Sequence, residues 1–336
     1  MKEQLAIWQF IKNNLAQHIP VMLLYVLESQ GSSPGRQGFF MAVNARGAMQ
    51  GSIGGGIMEH KFVEMAKDKL ANAPNKMLVR KQVHNKTATQ NQSGMICSGE
   101  QTILSYPVKP SDVTGIEKII TCLESGKNGL LRLSPAGISF SDNNIPASAF
   151  YYSFTSEADW FYEERLGYKN HLYIIGGGHC ALAFSRLMRS LDFYIHLYED
   201  RAELNTFREN SYAQEKIVVK SYEDLADLIP AGEHYVVIMT FGYRTDDLAF
   251  RALLNKPFKY LGLLGSRNKI KKMFATYEQE GIPAEKLKQV YAPVGLPINS
   301  QTPEEIAVSI AAQIIQVKNQ KVKRKTALQN PSHLTF

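Results

Sequence analysis

The sequence predicts an α/β protein, with an N-terminal α+β domain followed by a doubly wound parallel sheet. Three observations carry that expectation. From His171 on, short runs rich in β-branched and aromatic residues (HLYII, YIHLYE, KIVV, YVVIM, YLGLL) alternate with helical stretches, as βαβ units require. Before Pro107, strand-like runs and amphipathic helices follow one another without such alternation. Two glycine-rich loops, GSIGGG at 51–56 and IIGGGH at 174–179, each run straight into a helix.

Taken in order, residues 5–17 read as an amphipathic helix and VMLLYVLES (21–29) as a buried strand. GSSPGRQG turns around Pro34, and FFMAVN (39–44) is a second strand. GSIGGG then opens a helix from about Ile57 to Leu70. MLVRKQV and QTILSYPV flank a polar loop, HNKTATQNQSGMICSGE. These elements make a first domain, 1–109. Residues 110–168, a helix with Ile116, Ile119, Ile120 and Leu123 on one face and then short strand-like runs, read as a middle or linker segment. The alternating pattern spans 169–320. Its last helix has Thr302 to cap it, Pro303 at its first position and Glu305 to complete a capping box. Ile306, Ile310, Ile314 and Val317 form its buried stripe.

The chain of 336 residues, 44% hydrophobic and 21% charged, fits a globular protein of two domains. It has no apolar run of membrane-spanning length and no signal-peptide pattern at its start. The three cysteines, at 97, 122 and 180, make neither a disulfide framework nor a zinc set, which suits a cytoplasmic setting. The net charge of +7 owes much to the tail, where 317–336 holds five Lys and Arg residues and no acid. The body shows no basic face with aromatic platforms, so no nucleic-acid partner is expected. Residues 321–336 read as a solvated basic end.

In IIGGGHCA, Gly176, Gly178 and Ala181 match G-x-G-x-x-[GA] between an apolar strand and a helix. That context is the dinucleotide-binding fingerprint, and it makes the C-terminal domain Rossmann-like. Glu199 ends the next strand, where an acid would hold ribose hydroxyls and prefer an unphosphorylated ribose. Ser266 and Arg267, in LGSRNK after another strand, could grip a phosphate or carboxylate. Asp246, in TFGYRTDD, reads either as a site residue or as a helix N-cap. Cys97 lies in a glycine-flanked loop suited to exposing a thiol. Cys180 stands at a helix N-terminus, which lowers a thiol pKa, although packing of the first turn is the commoner role. Cys122 reads as core filler.

Together these stretches resemble the XdhC/CoxI family, the xanthine dehydrogenase accessory proteins. GSSPGRQGFFMAV is similar to the family's opening G-S-x-P motif, and GSIGGGIMEHKFVEMA to its glycine loop and Glu-bearing helix. MICSGE is similar to its cysteine loop. LYIIGGGHCALA, LYEDR, LGLLGSRNK and PVGLPINSQTPEEIAVSIAAQII resemble its C-terminal domain. The chain departs from the family at Gly35, where Arg is common, at Ser98, where Gly is usual, and at Phe241 and Tyr243, where histidines are usual.

The resemblance implies a protein that binds the molybdenum cofactor, as molybdopterin or its dinucleotide form, and protects it. Such a protein supports sulfuration by a cysteine desulfurase and delivers the cofactor to a molybdenum hydroxylase apoprotein of xanthine dehydrogenase type. It implies a homodimer and a carrier in place of an enzyme that turns over a metabolite; no residue is assigned a catalytic role, and no membrane partner is expected from the hydropathy. Carried onto this sequence, Gly54, Gly55, Gly56 and Glu59 join the fingerprint residues as cofactor-binding positions, with Cys97 as neighbour of the molybdenum. The alternative is an NAD(P)-dependent oxidoreductase using the same fingerprint and Glu199; no obvious acid–base pair supports it.

Overall fold

The computed structural model describes residues 2–72, 76–83, 99–143, 145–146 and 148–320. The loop with Cys97 and the basic tail lie outside them. Two compact units are present, Met1–Lys169 and Asn170–Phe336.

In the first unit, α1 (Lys2–Ala16) buries Ile7, Trp8 and Ile11 on one face. β1 (Val21–Gly31) is covered on both sides. Val21, Leu23, Tyr25 and Leu27 enter one core, and Met22, Leu24 and Val26 enter another. That is why its sequence is continuously apolar instead of alternating. Around it an antiparallel sheet forms with β2 (Phe40–Asn44), β3 (Met49–Gly51), β4 (Leu78–Val83) and β5 (Gly99–Pro107), in the order β3-β2-β1-β5-β4. α2 (Gly56–Asn72) covers one face with Met58, Phe62, Val63, Ala66 and Leu70.

Residues 110–168, set apart by the sequence as a middle segment, complete this unit. α3 (Val113–Glu124) packs on α1. β6 (Gly129–Ser134), β7 (Gly137–Ser141), β8 (Phe150–Ser156) and β9 (Asp159–Leu166) form an antiparallel sheet in the order β7-β6-β9-β8. Ile116, Ile119, Leu131, Trp160 and Tyr162 share one core with Trp8 and Tyr25. Two helices with one apolar stripe each had to find partners, and they found each other. A buried polar knot ties the same parts: Glu164 accepts from Tyr25 Oη (2.6 Å), Tyr162 Oη (2.8 Å) and Lys169 Nζ (2.7 Å).

The second unit runs β10 (Asn170–Ile175), α4 (His179–Ser190), β11 (Phe193–Glu199), α5 (Asn205–Glu209), β12 (Glu215–Val218), α6 (Leu225–Leu228), β13 (Gly232–Ile238), α7 (Tyr243–Leu253) and β14 (Phe258–Leu263). α8 (Arg267–Gln279), α9 (Ala284–Leu287) and α10 (Pro303–Asn319) close it. The sheet is wholly parallel, in the order β12-β11-β10-β13-β14. The chain builds outward from β10 in one direction and then in the other. β10 and β13 therefore flank a topological switch point, where crevices open at the carboxyl ends of the strands. α4 and α10 cover one face with Phe184, Met188, Ile310 and Ile314. α7 and α8 cover the other with Phe250, Leu253, Met273 and Tyr277. α10 is capped as the sequence predicts: Thr302 Oγ1 accepts from Glu305 N–H (3.2 Å), and Glu305 Oε2 accepts from Thr302 N–H (3.2 Å).

Candidate ligand-binding site

The fingerprint loop joins β10 to α4. Gly176 has φ +106°, and a Cβ there would overlap the Met239 carbonyl oxygen; only glycine makes this turn without strain. Gly177 is fastened at both ends of its peptide groups. Its N–H donates to Glu199 Oε2 (2.6 Å), and its C=O accepts from Thr206 Oγ1 (2.6 Å). Gly178 is the N-cap of α4 and has no side chain to cap it. The first intrahelical bond comes from Leu182 N–H to the Gly178 carbonyl, so the amides of His179, Cys180 and Ala181 have no partner within the helix. A Cβ on Gly178 would meet nothing within 4 Å. That space belongs to a cavity of about 730 Å³ lined by Gly178, His179, Cys180, Arg201, Thr240 and Phe241 among others. Orphan amides, a helix dipole and room for a ligand together make an anion-binding corner. Ala181 is buried in the first turn and packs α4 onto the sheet.

Glu199 is not placed where the sequence suggests. Its side chain is fully buried and is not among the residues lining the cavity. One oxygen holds Gly177; the other accepts from the Arg201 N–H (3.2 Å) and Nε (2.7 Å). Its expected role with ribose hydroxyls is therefore replaced by one inside the fold: it fixes the loop and anchors Arg201. The reason is proximity, because the strand-end acid meets an unpaired backbone donor before any ligand arrives. Burial pushes its carboxyl pKa up. The hydrogen bonds from Arg201, from Asp200 and from Gly177 outweigh this, and the net shift is downward.

Asp246 is neither cap nor cavity wall. Gly242 caps α7, and Asp246 is fully buried in the first turn. It accepts from Thr240 N–H (3.0 Å) and Oγ1 (2.6 Å) and pairs with Lys269 of α8. It therefore sets the loop that carries Thr240 and Phe241. Ser266 is the N-cap of α8, accepting from Lys269 N–H (3.2 Å), and Arg267 is exposed beside it; neither lines the cavity.

The first glycine loop is built differently. Glu59 Oε2 accepts from Ser52 Oγ (2.6 Å), Ile53 N–H (2.9 Å) and Gly55 N–H (3.0 Å). The loop amides that an incoming anion would want are thus held by the helix's own carboxylate. Gly54 (φ +129°) lies against the backbone of Gly35, and a Cβ on Gly35 would overlap the Ile53 carbonyl oxygen. That close approach accounts for a glycine at 35 in place of a long side chain. Gln101 Nε2 donates to the Gly35 carbonyl (2.9 Å) and locks the pair of turns. Gly55, just before α2, and Gly56, its first residue, have φ of +73° and +70°. Glu59→Ala is expected to free three donors and to cost about 1–3 kcal/mol. Chemical denaturation checks this, and Glu59→Gln should recover part of the loss.

The thiols that can be placed are quiet ones. Cys180 is partly buried; burial, then the charge of Glu304, raises its pKa, against the lowering expected at a helix N-terminus. Burial and Asp142 raise Cys122, which sits in the α3 core. Cys97 lies outside the described residues. Among those described, no group of three or more His, Cys, Asp and Glu side chains could hold a metal ion, and no helix is long and apolar enough to cross a membrane. The sequence reading did not place Arg201, Thr206 or Phe241 at the site, although it noted Phe241 as a departure from the family. The local signals were an arginine two residues past the strand-ending acid and the departure at Phe241.

The fold is that of an α/β protein with a Rossmann-type unit preceded by an α+β unit. Two family models match the chain, the XdhC and CoxI family over residues 14–80 and the XdhC Rossmann domain over residues 172–314. The chain belongs to the XdhC and CoxI family. It is 24% identical over 306 residues to the uncharacterized protein YqeB of Escherichia coli (strain K12); the match takes in 90% of this chain but only 44% of YqeB. It is 21% identical over 314 residues to a probable xanthine dehydrogenase subunit of Bacillus subtilis (strain 168), covering 88% of this chain and 93% of the other. A crystal structure of a xanthine dehydrogenase from Bacillus halodurans shares the fold, with a TM-score of 0.67, 22% identity and coverage of 96% and 98% of the two chains.

Proposed function

We propose that this chain binds the molybdenum cofactor, protects it and hands it to a molybdenum hydroxylase apoprotein of xanthine dehydrogenase type. The observation that carries the reading is the open start of α4, whose unpaired amides border a cavity of about 730 Å³ with space above Gly178. This corner fits the phosphate end of molybdopterin or of its dinucleotide form. Membership of the XdhC and CoxI family supports the choice of ligand. So does likeness to a probable xanthine dehydrogenase subunit of similar length. Cys97 enters the proposal only by resemblance to the family's cysteine loop, because a soft thiolate suits a sulfur-ligated molybdenum. When bound, the group supplies oxidation–reduction chemistry for the recipient enzyme. The chain's own residues hold and orient it.

The oxidoreductase alternative leaned on Glu199 as a ribose anchor, and that carboxylate is committed to Gly177 and Arg201. A cysteine desulfurase as sulfur donor and a homodimeric state complete the proposal. Its test is transfer: the loaded protein is mixed with an apo molybdenum hydroxylase and activation is followed. Cys97→Ser is expected to lose most cofactor content and most activation. Cys122→Ser is the control, expected to load and deliver like the parent apart from a small packing loss. Equal loading and delivery by the two variants removes Cys97 from the site.

A further inference from the structure

Phe241 is 85% exposed, yet its backbone is tied on both sides. Thr240 is held by Asp246 through its N–H and Oγ1. Gly242 N–H donates to Thr245 Oγ1 (3.3 Å), and its carbonyl accepts from Asp246 N–H (2.9 Å). A large ring is thus presented to solvent on fixed backbone at the edge of the cavity. The Arg201 guanidinium lies 5.1 Å from the ring centroid. Its Nε is pinned by Glu199 at 2.7 Å, which sets the plane of the group. Both residues line the cavity, as do Leu204, Met239 and Leu264.

The acids nearby decide what Arg201 offers. Glu199 is bonded to it, Asp200 stands 3.6 Å from its Nε, and Glu203, on the cavity wall, pairs with Arg208 at 3.1 Å. Glu199 and Asp200 offset the guanidinium, while the charge of Glu203 is met by Arg208. It therefore serves less as a second phosphate site than as a flat face, a use guanidinium groups share with aromatic rings.

We infer that Phe241, stiffened by Arg201, is a stacking platform for a planar heterocycle carried on a phosphate ester, and that the cavity leaves the ribose diol unread. The inference rests on the reading that the phosphate sits at the start of α4. The second half follows from Glu199, the acid that ends β11, which is fully buried and away from the cavity lining, and from Glu203, the acid on the cavity wall, which pairs with Arg208. A purine, a pyrimidine or a pterin has the required flat face.

Calorimetric titration with 5′-AMP, 5′-CMP, 6-hydroxymethylpterin phosphate, 2′-deoxy-5′-AMP and ribose 5-phosphate separates these. At least one heterocyclic ester is expected to bind about tenfold more tightly than ribose 5-phosphate. The tightest of them identifies the source of the ring. Phe241→Ala should erase that margin and leave ribose 5-phosphate unchanged, while Phe241→Tyr keeps it. 2′-Deoxy-5′-AMP should match 5′-AMP within about twofold. Because Phe241 is exposed, the melting temperature of Phe241→Ala should equal the parent's. A margin that survives in Phe241→Ala overturns the platform and leaves the phosphate site standing. Strong discrimination against the deoxynucleotide overturns the unread ribose. Failure of every probe, ribose 5-phosphate included, overturns the phosphate reading and the platform with it.

Discussion

Gly178→Val is expected to fold and to lose its ligand. The position has ordinary backbone angles (φ −70°, ψ −172°), and its Cβ would meet nothing within 4 Å. The variant pays only for a poor N-cap, about 1 kcal/mol. Its added methyls fill the space over the α4 amides, where the phosphate would sit. Two or three charge-assisted bonds are lost, each worth about 1.5–3 kcal/mol, so affinity should fall by a factor on the order of a hundred or more. Gly176→Ala reverses the pattern. A Cβ at φ +106° overlaps the Met239 carbonyl oxygen, and the variant should lose about 3 kcal/mol or more of stability. Thermal unfolding and titration with a phosphate ester check both. A Gly178→Val protein that melts like the parent and binds like the parent would mean that α4 does not start a binding site.

Glu199→Ala is expected to destabilise the second unit by about 2–4 kcal/mol. It leaves the Gly177 N–H without its buried acceptor and releases Arg201. The loop then loosens, so phosphate-ester affinity should fall as well, although Glu199 lies off the cavity wall. The pH dependence has a definite sign. The folded-state pKa of Glu199 is lowered. Its contribution is therefore present above the ordinary carboxylate pKa, about 4.3. It is lost as pH falls through the depressed folded value. Asp200 shifts the opposite way, raised by partial burial and by Glu199 beside it. Acid denaturation of the parent and of Glu199→Ala should converge at low pH and separate toward neutrality. Parallel curves would mean that the buried carboxylate contributes nothing specific.

The parts legible in the sequence were those specified by neighbours in the chain. The Thr302–Glu305 capping box closes within four residues, and the strand, glycine loop and helix around Gly176 form one continuous stretch. What escaped depends on partners brought in by the fold. Glu199 reads as a ribose acid until Gly177, 22 residues away, presents its N–H. Asp246 meets Lys269 only because β13 and β14 lie side by side. The apolar stripe of α3 gives no hint that α1, about a hundred residues earlier, is its partner. Both glycine loops look alike as strings. The difference is Glu59, whose carboxylate closes the first loop from within, whereas the second keeps its helix amides toward the cavity.

The central claim is that this chain carries the molybdenum cofactor. The most direct measurement is the molybdenum and pterin content of the protein purified from cells that make the cofactor, by elemental analysis and by pterin fluorescence after oxidation. The account predicts molybdenum and pterin in equal amounts, both lost in Gly178→Val. Tightly bound NAD(P) with neither pterin nor molybdenum would contradict it.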